Sequence, residues 1–246
     1  MHSLVLDRAE TYLNSQWRES NIPWAHPSRH SHPFVTVSRQ SGSGGTAFAR
    51  ALARQLNGDA PDGVLWTVSE GNLTTRMLAA NHLSPRLARF LPEDKVSEVN
   101  ASIGELVGLH PNLWELVQKV NKSMRVLAEQ DHAILVGRGA NFATRGIEGG
   151  VHVRLVAPAE HRARYHAFLY DFSEKAALAF NAKCDAARRR YVKATFNANI
   201  DDPRAYDLVL NMAEIPIAEA AAITASLVRT RHPTLRWKEE PIRSRR

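Results

Sequence analysis

A single cysteine, Cys184, stands in 246 residues. With no second thiol, the chain has neither an intramolecular disulfide nor a thiolate metal cage. Cys184 lies in a polar helical stretch, where packing rather than nucleophilic chemistry is the expected role. Long apolar runs are missing too: none approaches the ~20 residues that a membrane span needs. The opening MHSLVLDRAETYLNSQWR carries acidic side chains and lacks the unbroken apolar core of a secretion signal. No membrane association and a cytoplasmic location are therefore expected, and nothing marks a second domain.

The 44% hydrophobic content is enough to bury one core at this length. The expected organisation is an N-terminal helical arm and Pro/His-rich loop over 1–32, one α/β domain over 33–231, and a basic tail over 232–246. The net charge is +7. From Arg229 onward seven Arg or Lys stand against Glu239 and Glu240, so +5 of that charge sits at the C-terminal end and the body is nearly neutral. Such a tail reads as a solvated end or a weak electrostatic contact, and nucleic acid is not the expected partner. A nucleic acid held by the tail would show steep salt dependence that disappears when 232–246 is removed. Basic residues within the body read instead as partners for phosphate groups in a cleft.

The stretch FVTVSRQSGSGGTAFARALARQL, residues 34 to 56, organises the chain. Phe34 to Val37 form the short apolar run of a central parallel strand, and Ala47, Ala51, Leu52 and Leu56 recur at helical spacing after it. Between them Gly42, Gly44 and Gly45 permit φ > 0, so backbone N–H groups converge on an anion that also meets the positive end of the helix. A purely structural strand-to-helix turn is the competing reading of the glycines. Placed on the nucleotide-binding pattern GxxxxGK[ST], Thr46 takes the hydroxyl position that holds Mg²⁺, and Gly44 takes the second glycine. Gly45 stands where the lysine belongs and Arg39 where the first glycine belongs. That lysine ordinarily follows the charge developing on the β- and γ-phosphates. Arg39 is the residue placed to supply it from the other side of the turn.

Ser38 to Gly45, SRQSGSGG, resembles the SREYGSGG opening of the cytidylate-kinase-like family, P-loop proteins related to nucleoside monophosphate kinases. Two later stretches agree in order and spacing: ILVGRGAN (134 to 141) with VHVRLVAPAEHRAR (151 to 164), and RRRYVKATF (188 to 196) with YDLVLNMAEI (206 to 215). The resemblance covers residues 34 to 228. It implies an α/β fold of three layers, a P-loop kinase fold with a parallel sheet of about five strands and a helical lid. It implies ATP and Mg²⁺ as cofactors, with ATP on Ser41, Gly42, Ser43, Gly44, Gly45 and Thr46, and a small phosphorylated acceptor as the second partner.

By position in the matched motifs, Arg138 leaves the end of a strand toward the same crevice and contacts phosphate. Arg162 and Arg164 resemble the arginines bordering a kinase lid, and one or two of Arg188, Arg189 and Arg190 bridge the phosphates. Spacing allows at most two of the last group to point inward together, and Arg188 and Arg189 are preferred. The catalytic set is thus Arg39, Arg138, Arg188 and Arg189, with Arg162 on the nucleotide. The chain departs from the family pattern after Arg138, where Gly139 and Ala140 offer no carboxylate, and at Val136 and Gly137, where the Mg²⁺-supporting acid is absent. Glu70 either touches substrate or caps a helix, Arg76, Arg86 and Arg89 are candidates for the acceptor phosphate, and Asp207 and Asn211 flank the last strand in capping or chemical roles. His26, His30 and His32 invite a metal reading, but without acidic companions a surface loop is preferred. The function expected is transfer of the ATP γ-phosphoryl group to a (deoxy)cytidylate-like acceptor. The alternative is a nucleotide-binding sensor or partner protein without catalysis, and the composition leaves room for an oligomer.

Overall fold

Six consecutive residues, Phe34–Arg39 (β1), are buried to the last side chain. A strand in that position needs partners on both edges and cover on both faces. It pairs in parallel with Ala133–Val136 (β3), Val35 opposite Ile134, and with Gly150–Val156 (β4), Val35 opposite Val151. Thr67–Ser69 (β2) extends the sheet beyond β3, and Leu208–Asn211 (β5) extends it beyond β4, giving the order β2-β3-β1-β4-β5. In the computed structural model the residues described are 32–69, 111–130, 132–171, 173–235 and 237. The expected arm helix, His26, His30, Glu70, Arg76, Arg86, Arg89 and the tail from 238 lie outside them.

Alternation along the strands sorts the two faces. Val35, Val37, Ile134, Val136, Val151, Val153 and Leu155 meet helix Gly45–Asp59 (α1) through Phe48, Leu52 and Leu56, and helix Ile217–Arg231 (α6) through Ala221, Ala225 and Val228. Phe34, Ala133 and Leu135 turn the other way, onto Val120, Met124 and Ala128 of helix Pro111–Gln130 (α2) and Ala140 and Ala143 of the short Ala140–Ala143 (α3). Helices, sheet and helices make the three layers. Helices Ala159–Tyr170 (α4) and Glu174–Phe196 (α5) pack on one another as a hairpin, whose tip presents Phe168 and Tyr170 to solvent. This hairpin is the helical lid.

The second strand is shorter than the apolar run Val64 to Val68 suggests. The side chain of Asn57, in the last turn of α1, accepts the Trp66 N–H at 2.6 Å and donates to the Trp66 carbonyl at 3.0 Å. That amide takes the place of a neighbouring strand, so pairing with β3 starts only at Thr67, opposite Ala133. At this amino end of the sheet His132 stands edge-on to His32, ring centroids 5.1 Å apart, and to Trp66 at 5.4 Å. Trp237 stacks on Trp66 and donates its indole N–H to the His232 carbonyl at 2.9 Å. Burial, with His32 and His232 nearby, pushes the His132 imidazole down to about 4.

Candidate functional site

At the opposite, carboxyl end of the sheet, β1 runs into the glycine turn. Gln40 extends the ladder by one bond, its N–H to the Leu155 carbonyl at 3.0 Å, and its side-chain oxygen accepts the Ala157 N–H at 3.0 Å. The Gln40 carbonyl in turn accepts both the N–H and the hydroxyl of Ser43. Gly42 and Gly44 have φ of 80° and 79°, conformations that L side chains rarely adopt. At Gly42 the packing is equally strict, because a Cβ there would sit 2.5 Å from the Arg162 carbonyl oxygen. α1 then begins without a side-chain cap or an acidic residue in its first turn, and Thr46 is exposed there. The amides and dipole of that helix end are therefore presented to an anion.

Gly45 sits where the sequence lacks the expected lysine, and the structure gives the reason. A Cβ at Gly45 would meet Cγ and Cδ of Arg39 at 2.9 and 3.1 Å. The stem of Arg39, itself buried, lies across the α-carbon of Gly45 and fills the space in which a lysine stem would begin. Opposite, the chain leaves β3 through Gly137, Arg138 and Gly139, all left-handed, with φ of 83°, 51° and 64°. For Arg138 that conformation costs roughly 1 kcal/mol. Gly139 admits no side chain, since its Cβ would lie 2.5 Å from the Phe196 ring. Arg39, Arg138 and Arg188 line one open cleft beside this turn, with Ser38 and Tyr191.

The lid hairpin brings the rest. On α5 the buried residues Ala177, Asn181, Cys184, Asp185, Arg188, Tyr191 and Val192 form one stripe. Arg188 is on it and donates from Nη1 to the Arg39 carbonyl at 3.2 Å. Arg189 and Arg190 are off it and exposed. Arg189 reaches the other way, Nε to Asp201 Oδ2 at 2.7 Å, and that bond holds its guanidinium above the usual range. The other Asp201 oxygen takes Arg154 Nη2 at 2.6 Å, while Arg154 Nη1 donates to the Ser38 hydroxyl at 2.8 Å. Burial alone would raise the Asp201 carboxyl; the Arg189 bond and the Arg154 charge outweigh it and bring the group below its ordinary value. So of the three arginines in the run, one faces the cleft.

Arg162 lies behind the turn. Its Nε donates to the Ala157 carbonyl, and its Nη1 donates both to the Ser41 carbonyl and to Asp185 Oδ2, each at 2.8 Å. Asp185 also accepts the Ser41 N–H, on Oδ1 at 2.7 Å. Asp185, Gln40, Ser38 and Arg154 are site residues that the motifs did not single out. The helical stripe from Ala177 to Val192 is the signal that separates Asp185 and Arg188 from Arg189.

The uncapped amides at the start of α1 suit an anion, and Arg39, whose stem packs on Gly45, shares its cleft with Arg138 and Arg188. For Mg²⁺ the described residues offer the exposed Thr46 hydroxyl; no group of three His, Cys, Asp or Glu that would hold a metal occurs among them. Mg²⁺ is commonly bound through one or two carboxylates together with the substrate phosphates, and a single hydroxyl supplies only part of that mode.

The model of the cytidylate kinase-like family matches residues 34–214. The chain belongs to the cytidylate kinase-like family. Its family and its fold are those of nucleotide kinase-like phosphotransferases. A cytidylate kinase of Pyrobaculum islandicum (strain DSM 4184 / JCM 9189 / GEO3) is 27% identical over 197 residues, 80% of this chain and 92% of that protein. The crystal structure of an uncharacterized protein from Eubacterium ventriosum ATCC 27560 has the same fold, with a TM-score of 0.59 at 16% identity, over 81% of this chain and 99% of that one. Among the described residues of this cytidylate kinase-like chain, no helix is long and apolar enough to cross a membrane.

Proposed function

We propose that this protein transfers the γ-phosphoryl group of ATP to a nucleoside monophosphate of the cytidylate type, and that Arg39 does the work of the missing lysine. The observation that carries the reading is the packing of Arg39 on Gly45, beside a cleft shared with Arg138 and Arg188. The positive charge has moved from the helix to the strand end, and the glycine is the condition for the move. Gly42 to Thr46 hold the donor phosphates by backbone amides, and the Thr46 hydroxyl would contribute to holding Mg²⁺, which would neutralise charge on the phosphates. Arg138 orients the acceptor phosphate from the left-handed turn. Arg188, supplied by the lid, and Arg39, supplied by the sheet, face the equatorial oxygens on which charge spreads. Catalysis of phosphoryl transfer is positioning and electrostatics, so guanidinium groups fixed in the cleft can supply it. The cytidylate preference is supported by the Pyrobaculum relative.

Calorimetric titration with ATP, with and without Mg²⁺, followed by ADP release across CMP, dCMP, UMP, AMP and GMP, tests the reading. ATP binding and turnover on CMP or dCMP, lost by about 10²-fold or more in Arg39→Ala and Arg138→Ala, is the expected result. ATP binding with no turnover on any acceptor would put a nucleotide sensor in its place. No binding of ATP would remove the nucleotide reading altogether.

A further inference from the structure

Ser41 is the point at which the lid hairpin grips the phosphate loop. Its N–H goes to Asp185 on α5 at 2.7 Å, and its carbonyl goes to Arg162 on α4 at 2.8 Å. The two partners bind each other at 2.8 Å, and all three residues are buried. Both backbone polar groups of one loop residue are thus taken by the hairpin, through an ion pair that bridges its two helices. The next residue, Gly42, turns left-handed directly against the Arg162 backbone. Asp185 further reaches Arg188 Nη1 at 3.5 Å, and the same Nη1 holds the carbonyl of Arg39.

We propose that Asp185 is a positioning residue: through Ser41 it sets the shape of the phosphate loop from the lid, and through Arg188 it aligns the strand-end arginine with that loop. This deepens the function proposed above and rests on it for the role of the loop. The physical case is that an amide donated to a carboxylate, in a site that excludes water, makes a strong bond. A loop whose first residue is fixed on both polar groups has few shapes left, so the amides after Gly42 are ordered before phosphate arrives. Hairpin and loop are thereby coupled: displacing α5 at Asp185 would break the Ser41 contact.

The test uses the full chain and two readouts. One is amide hydrogen exchange at Ser41 to Gly45 in ligand-free protein; the other is the ATP dissociation constant set against the acceptor KM. Asp185→Asn keeps the shape and an acceptor oxygen but loses the charge that holds Arg162. It is expected to raise the Ser41 exchange rate about tenfold and to weaken ATP about tenfold, with acceptor KM changed less than threefold. Asp185→Ala is expected to exceed it on both counts. Amides of Val35 and Val37 report the fold, and Lys183→Ala, exposed on the same helix, is the control. If Asp185→Ala exposes the β1 amides as well, Asp185→Asn decides. Unchanged Ser41 exchange and unchanged ATP affinity in Asp185→Asn would overturn the proposal. If the wild type binds no ATP, the nucleotide reading fails while the exchange of Ser41 still judges the grip.

Discussion

Arg39 and Gly45 look like two losses when taken singly, a glycine gone from the start of the loop and a lysine gone from its end. In space they are one exchange, since each requires the other. Gly45→Lys is therefore expected to lower stability by about 1–3 kcal/mol, the cost of forcing extra volume against a packed stem. Arg39→Ala combined with Gly45→Lys should recover most of that loss, which urea unfolding of the two variants would read. Unequal effects of the two changes that simply add would show that the residues do not share space. Gly42→Ala meets both a left-handed backbone and the Arg162 carbonyl, and loss of more than about 2 kcal/mol is expected in the same assay. The glycines were legible as glycines because left-handed backbone asks for that residue type. The reason for Gly45 was not, because it lies in a side chain six positions earlier that only folding brings across.

The long helix α5 shows how an element sorts residues that a motif lumps together. Arg188 and Arg189 are neighbours in sequence, yet 100° of helical rotation sends one to the loop and the other to Asp201. Arg188→Ala is expected to lower turnover at least tenfold, and Arg189→Ala to change it less than threefold, by the ADP-release assay. Stability should divide differently. Asp201→Ala leaves the buried Arg154 guanidinium without its carboxylate and is expected to cost about 2–3 kcal/mol, whereas Arg189→Ala, at an exposed pair, costs under about 1 kcal/mol. The stripe of Ala177, Asn181, Cys184, Arg188 and Val192 was present in the sequence. It was hidden because its members are small or polar, so the hydrophobic period that normally reveals a buried face was weak. The strands were easier: FVTV, AILV and HVRLV are short apolar runs, and a doubly covered parallel sheet asks for no more than that. The second strand was overextended because nothing in its own residues announces that Asn57 will occupy its edge.

At the scale of the whole molecule the two ends of the sheet carry opposite chemistry. The carboxyl end gathers guanidinium groups around the glycine turn, and the amino end gathers imidazoles and indoles. His132 is held neutral by burial and by its histidine neighbours, about 4 against 6.5 in an unfolded chain. Between these values the unfolded chain binds the proton and the folded one does not. The stability contributed is complete above pH 6.5 and is lost as the pH falls toward 4. The loss is about 1–2 kcal/mol, allowing for solvent screening of a half-buried ring. Thermal melts of the wild type and His132→Gln between pH 7 and 5 should converge as the pH falls. Parallel curves would show that His132 titrates normally.

The strand order also has a consequence in time. β1 lies at the centre of the sheet, yet both of its neighbours come from the far side of the chain: Val35 pairs with Ile134 and with Val151. While the polypeptide is being made, at about 5–20 residues per second, the segment FVTVSR leaves the ribosome roughly 5–20 s before either partner does. Through that interval an apolar, β-prone stretch has no native edge to join. Nor can the phosphate loop take its shape, because Asp185 emerges later still. The glycine turn is thus made well before the strands and the lid that complete it, which makes the nascent chain a natural client for a chaperone that shields short apolar strands.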